Sequence, residues 1–287
     1  MTDSPNEPFA SDHGAGDGDD VYGISWPADR VTEDVRQPAM MRREPVVTFE
    51  PPPPAPRRPF VTGVFAFLFY LKTLAVWLLG SIGLMIGLLL CLYCMYLVEI
   101  GLTVAARCLA VPSLWLAAFP LGYLSVCCLN VIEQTSQGYD KIEDWSVGEW
   151  REWFWSFGFT LGAIVPALLI GAVVGAIPWV GTGLSMGLTV FLLYPVFLLS
   201  ALDNGSIFAP ISGLILRSFR TAWRGWLIFY GETSVMAAAL VLLILVLFPL
   251  NPFLAVAVTT PPLVAVMLIY ARLLGRLVWY IGQSQEE

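Results

Sequence analysis

A single acid, a pair of cysteines and a double proline are the residues here whose type and spacing could do chemistry. Glu232, in Tyr230-Gly231-Glu232-Thr233-Ser234, stands inside a long apolar stretch. An ionisable group in such a setting can carry a proton or hold a cation. Cys91 and Cys94 read as C-x-x-C, a spacing that elsewhere serves thiol redox or zinc chemistry. They lie in a continuous apolar run with no second pair, and the single histidine is the remote His13. Small buried hydrophobes are the stronger reading, since free cysteine behaves that way. Thr259-Thr260-Pro261-Pro262 removes two backbone donors and predicts a kinked or unwound helix with bared carbonyls. Broken helices line substrate sites in transporters, usually at matching positions of two halves. Pro166 and Pro195 are single prolines and supply no such match, so a plain kink is favoured.

Nothing else in the chain has the makings of an active centre. There is no Ser/His or Cys/His arrangement, no paired aspartates in the apolar stretches and no metal-ligand spacing. The sequence therefore offers no catalytic residue, no metal site and no cofactor, and the expectation is a protein that is not an enzyme. Nucleic-acid binding is also excluded, because no segment carries a basic stripe with interleaved aromatics.

The elements that position these residues follow from where charge is absent. From Phe60 onward, 228 residues hold 9 Lys/Arg and 11 Asp/Glu, gathered in narrow clusters. The longest uncharged run, Thr73 to Val98, has 26 residues, enough to cross about 30 Å of hydrocarbon. A charge at mid-membrane costs about 2.5–3.5 kcal/mol on insertion scales, so the clusters mark what a bilayer excludes. With 57% hydrophobic residues the chain belongs to the membrane class. The pattern predicts an all-α integral membrane fold with six spans, at about 73–98, 108–132, 155–177, 184–202, 227–249 and 253–272. Short links (99–107, 178–183, 250–252) alternate with long ones (133–154, 203–226), giving three hairpins joined on one face.

Basic residues choose that face. Arg57, Arg58 and Lys72 precede the first span, and Lys141 and Arg151 lie in the first long link. Arg217, Arg220 and Arg224 lie in the second, and Arg272 and Arg276 close the last span. The short links hold only Arg107. The positive-inside rule then places both termini and both long links in the cytoplasm of a cell whose inner membrane carries the protein. Trp145, Trp150, Trp153, Trp155, Trp223, Trp226 and Trp279 gather at the same interface. Residues 1–30 lack the basic and apolar regions of a signal peptide, so the first span is expected to act as its own insertion signal.

Residues 1–59 form the first domain, a proline-rich acidic tail expected to be disordered, with 11 of the 21 prolines and 11 acidic residues. Pro51 to Pro59 reads as a polyproline II spacer. A docking peptide for a cytoplasmic protein partner, helped by Val46-Val47-Thr48-Phe49, is the competing reading. The membrane domain covers 60–282, and 283–287 make a short cytoplasmic tail.

Amphipathic helices are expected where the chain enters its spans. Ser146 and Glu149 can form a capping box, with Trp150, Trp153, Phe154 and Phe157 on one face of the helix that follows. Leu216, Phe219, Trp223 and Trp226 repeat the pattern beside Arg217, Arg220 and Arg224, which are candidate contacts for anionic lipid headgroups. The apolar stretch from Phe60 to Leu71 is a third entry helix. The whole would be three copies of one unit: interfacial helix, span, turn, span.

Gly138-Tyr139-Asp140-Lys141-Ile142-Glu143-Asp144-Trp145 and Asp203-Asn204-Gly205-Ser206-Ile207-Phe208-Ala209-Pro210 follow the second and fourth spans. In these motifs and in its layout over residues 60–280, the chain resembles uncharacterised multi-pass bacterial membrane proteins grouped as domains of unknown function. That resemblance implies the fold and carries no activity or site residues.

Two expectations concern Glu232. It lies roughly 8–9 Å inside the cytoplasmic edge. In an antiparallel hairpin about Asn251, Arg272 returns to nearly that depth, so a structural ion pair is favoured over a transport site. Gly83/Gly87, Gly158/Gly162, Gly171/Gly175 and Gly183/Gly187 are small-residue pairs, expected to pack helices within the chain first and to support a homo-oligomer second. Asn204-Gly205-Ser206 matches a glycosylation sequon but reads as a turn on the cytoplasmic side. The function these features favour is a membrane-organising or partner-scaffolding protein. The alternative is a small transporter or channel using Glu232 and the break at Thr259–Pro262.

Overall fold

The chain winds into seven α-helices among the residues described by the computed structural model, which are 60, 63–139, 142, 145, 150–177, 181–207, 209 and 211–286. The helices are α1 (Leu71–Glu99), α2 (Thr103–Ser136), α3 (Trp150–Gly175), α4 (Thr182–Asp203), α5 (Gly213–Thr221), α6 (Trp223–Leu247) and α7 (Pro252–Glu286). All but α5 are long and apolar enough to cross a membrane. Each is bounded by the charged or turn-forming residues that ended the apolar runs in the sequence. The expected tail 1–59 and its polyproline segment lie outside the described residues, as do Ser146, Glu149 and Pro178.

Three hairpins form as expected, α1 on α2, α3 on α4 and α6 on α7. One end of the bundle carries the three tight turns and is called here the turn face; the other carries the long links. The tight turns have clear causes. After α1, Gly101 takes φ +84°, a left-handed conformation that favours glycine. This lets Leu102 N donate to Leu97 O at 2.9 Å and Gly101 N to Val98 O at 3.1 Å, closing the helix end. Arg107, expected in a link, is therefore part of α2. After α6, Asn251 accepts from Phe253 N (2.9 Å) and Leu254 N (3.1 Å), and Pro252 opens α7 without needing a donor.

α7 is the hub. It packs against α1, α2, α5 and α6 and against a short 3-10 turn at Ala66–Phe69, while α3–α4 joins the rest mainly through α2. Glycine sets how near the backbones come. A Cβ at Gly87 would stand 2.7 Å from Ala117 Cα, and one at Gly275 would stand 2.8 Å from Ile132 O. Gly171 and Gly175 seat α3 on α4 in the same manner, at Met186 and Thr182.

Three sequence expectations are corrected here. Among the described residues no separate interfacial helix precedes the third span, because α3 runs without interruption from Trp150 to Gly175. The entry segment before α1 is a 3-10 turn ending in extended Tyr70 (ψ 136°), and its apolar side chains Phe60, Val64 and Phe67 are buried in the core. The second link does hold a short amphipathic helix, α5, but Ala222 breaks it (φ −110°, ψ 31°), so Trp223 and Arg224 begin α6. The three-copy reading thus keeps its hairpins and only one of its entry helices.

Candidate functional site

The last span passes straight through Thr259-Thr260-Pro261-Pro262, and the expected break is absent. Thr259 Oγ1 donates to Ala255 O at 2.7 Å and Thr260 Oγ1 to Val256 O at 2.6 Å, stitching the turn just before the prolines. Trp77 Nε1 in α1 donates to Pro261 O at 2.8 Å, tying the proline turn to the neighbouring helix. Both threonines face the protein interior.

Glu232 and Arg272 stand at similar depth on the two legs of the α6–α7 hairpin. Glu232 lies on the flank of α6 with Phe229 and Met236, and its enclosed Oε2 accepts no hydrogen bond. The Arg272 guanidinium lies 4.7 Å from the centre of the Phe67 ring. The hairpin equalises height along the membrane normal, whereas direction around each helix decides contact.

Arg272 is only 1% exposed and Arg276, one turn on, is fully buried. From the sequence, both were expected to close the last span, Arg272 as a partner for Glu232. In the fold they sit inside the tightest part of the core, among Leu268, Leu273, Leu274, Leu277 and Ile281. A signal was present: i, i+4 spacing puts both arginines on one stripe, and leucines surround that stripe on every side. Enclosed cations of this kind are held by balancing contacts rather than by water.

The outward polar surface lies instead on the link between α4 and α6. Asn204 Nδ2 donates to Ala209 O (2.9 Å) and Ile211 O (3.3 Å), and Gly205 turns at φ +59°, confirming the turn read at Asn204-Gly205-Ser206. Ser212 donates to Asp203 and caps α5 by accepting from Leu214 N at 3.2 Å. The buried side of α5 is fixed by Ser218, whose Oγ accepts from Trp226 Nε1 at 3.0 Å. Phe219 stacks on Trp226 with ring centres 4.2 Å apart. Arg217, Arg220 and Arg224 are exposed on the opposite side.

Aromatic packing continues inward from Trp226 to Phe229, Tyr270 and Tyr194. Tyr230 crosses to α4, donating its hydroxyl to Leu192 O at 2.6 Å. The five cysteines are all free thiols. Cys127 is buried as a small hydrophobe, Cys94 lies 3.6 Å from Ser113 Oγ, and Cys108 is exposed on α2. Among the described residues no three His, Cys, Asp or Glu side chains gather as a metal site. An open groove of about 640 Å³ between α1 and α7 near the turn face is lined by Ile86, Leu89, Leu90, Tyr93, Phe253 and Leu254, an apolar surface that suits lipid chains. Of the glycine pairs, Gly183/Gly187 faces open space.

No family model, curated protein or solved structure matches the chain.

Proposed function

We propose that this chain is a non-enzymatic multi-pass protein of the cell inner membrane that organises lipid or protein partners at its long-link face, which is cytoplasmic. The observation that supports it most directly is α5. The link from α4 to α6 is wound, capped and hydrogen-bonded onto the bundle, and it turns an arginine surface outward. A link serving only to join two spans needs none of that order. Lys72, Arg151, Arg217, Arg220 and Arg224 stand exposed on this face, and the turn face has only Arg107 among the described residues, which favours the cytoplasmic assignment.

The transporter reading loses one of its two supports, since the helix at Thr259–Pro262 is continuous and its hydroxyls are bonded internally. Glu232 remains, on the flank of α6. The test is extraction of the full chain from native membranes in polymer-bounded discs, with and without residues 1–59. A lipid or protein enriched over the bulk membrane is the expected result. A lipid set equal to bulk with no protein retained would refute the organising role. For orientation, in a chain whose five native cysteines are replaced by serine, membrane-impermeant maleimide should label Thr103→Cys in intact cells and Thr221→Cys only after permeabilisation; the reverse inverts the topology.

A further inference from the structure

Helix α5 divides its residues among three faces, and the division says what covers the outer two. Ser212, Ile215 and Ser218 are buried against the bundle, with Ala222 continuing that line into the break. Leu216 and Phe219 on α5 and Trp223 at the start of α6 form a neighbouring exposed apolar strip. Arg217, Arg220 and Arg224 form an exposed basic strip beside it. Arg224 stacks over Trp223, its guanidinium carbon 5.6 Å from the ring centre, so a basic and an aromatic group meet where α6 begins, just past the break that follows α5.

Position limits the partner. α5 connects the ends of two membrane-spanning helices, so its outer faces lie at the depth where acyl chains give way to headgroups. An apolar strip there inserts among acyl chains while the arginines meet the headgroup layer. No acidic side chain occurs between Gly213 and Gly231, so the strip's positive charge has no local competitor within its own segment. Guanidinium groups bind phosphate oxygens through paired N–H donors.

We infer that Arg217, Arg220 and Arg224, with Trp223 and Phe219, form a docking surface for anionic phospholipid headgroups, such as phosphatidylglycerol. The rigid attachment of α5 makes this a fixed platform: Ser212 caps it, Asp203 and Trp226 hold it, and the arginines project from a surface that does not have to fold on binding. The inference rests on the membrane-organising reading and names the lipid class and residues behind it.

The full chain, purified in dodecyl maltoside, is titrated with dioleoyl phosphatidylglycerol or dioleoyl phosphatidylcholine, and bound lipid is counted by native mass spectrometry. Wild type should prefer phosphatidylglycerol, and the preference should weaken as ionic strength rises. Arg217→Gln/Arg220→Gln/Arg224→Gln should lose about fivefold per arginine, on the order of 100-fold in all. The corresponding triple lysine variant should keep much of the preference. The wild-type salt series needs no variant to fold, and a preference indifferent to salt would overturn the electrostatic surface. If wild type shows the preference and the glutamine variant retains it, the site is wrong while the organising role survives. If wild type neither prefers phosphatidylglycerol nor retains any enriched lipid or protein from native membranes, both fall.

Discussion

Helices α6 and α7 are two legs of one hairpin, joined by a four-residue turn, yet they live in different surroundings. In the most apolar stretch of α6, 6% of residues are buried inside the protein, against 28% in α7. The far half of α6 turns Val241, Leu242, Leu245 and Val246 outward. The far half of α7, from Leu268 to Ile281, is enclosed almost completely and holds two arginines. In water the greasier helix would be the inner one. Lipid tails are as apolar as leucine, so hydrophobicity gives no reason to bury α6. What draws helices together here is polar and small: arginine, threonine, serine and glycine collect on α7 and on the surfaces that meet it.

Arg276 should show this contrast most strongly. Arg276→Ala removes an enclosed cation and strands the contacts that balance it, with an expected loss of about 3–5 kcal/mol in a denaturant titration of the detergent-solubilised chain. A loss under about 1 kcal/mol would mean that α7 is buried for reasons other than its charges. The same titration applied to two glycines sharpens the point. Gly275→Ala forces a Cβ onto Ile132 O and Thr135 and should cost about 1–3 kcal/mol. Gly231→Ala, on α6 with nothing within 4 Å, should be neutral or stabilise by up to about 1 kcal/mol. Equal effects at the two positions would erase the distinction between the legs. The smallest expected effect belongs to Trp77→Phe, which removes the bond to Pro261 O. Interhelical bonds in membranes average about 0.6 kcal/mol, and a loss well above about 1.7 kcal/mol would show that the proline turn depends on α1 for its integrity.

Much of this architecture was legible in the sequence because charge is so sparse. Lys72, Glu99, Glu133, Arg151 and Asp203 lie near span ends, and turn residues such as Gly101, Asn204 and Asn251 explain how the chain leaves each helix. Periodicity misled where two elements abut. The stripe Leu216, Phe219, Trp223, Trp226 reads as one helix face, but the break at Ala222 divides it and brings Phe219 back onto Trp226. Depth arithmetic for Glu232 and Arg272 fixes height and leaves direction around the helix open. The double proline misled because a pair of lost donors does not by itself unwind a helix, and the sequence conceals that Trp77 ties the proline turn to α1 at Pro261 O. The enclosed arginines were missed for a related reason: a charge near a span's end ordinarily belongs to the surface, and only the leucines around Arg272 and Arg276 hinted otherwise.

The central place of α7 has a consequence for how the molecule comes into being. Of the six spans it is the last to leave the ribosome, yet it is the one on which α1, α2 and α6 converge. Through most of synthesis the earlier hairpins stand in the membrane with their meeting surfaces, Trp77, Ile132 and Thr135 among them, waiting for a strut that has not been made. Assembly is thus deferred until the sixth span has been made. A nascent chain arrested before residue 252 would contain five spans and lack the piece that binds them, a state suited to recognition by membrane quality control.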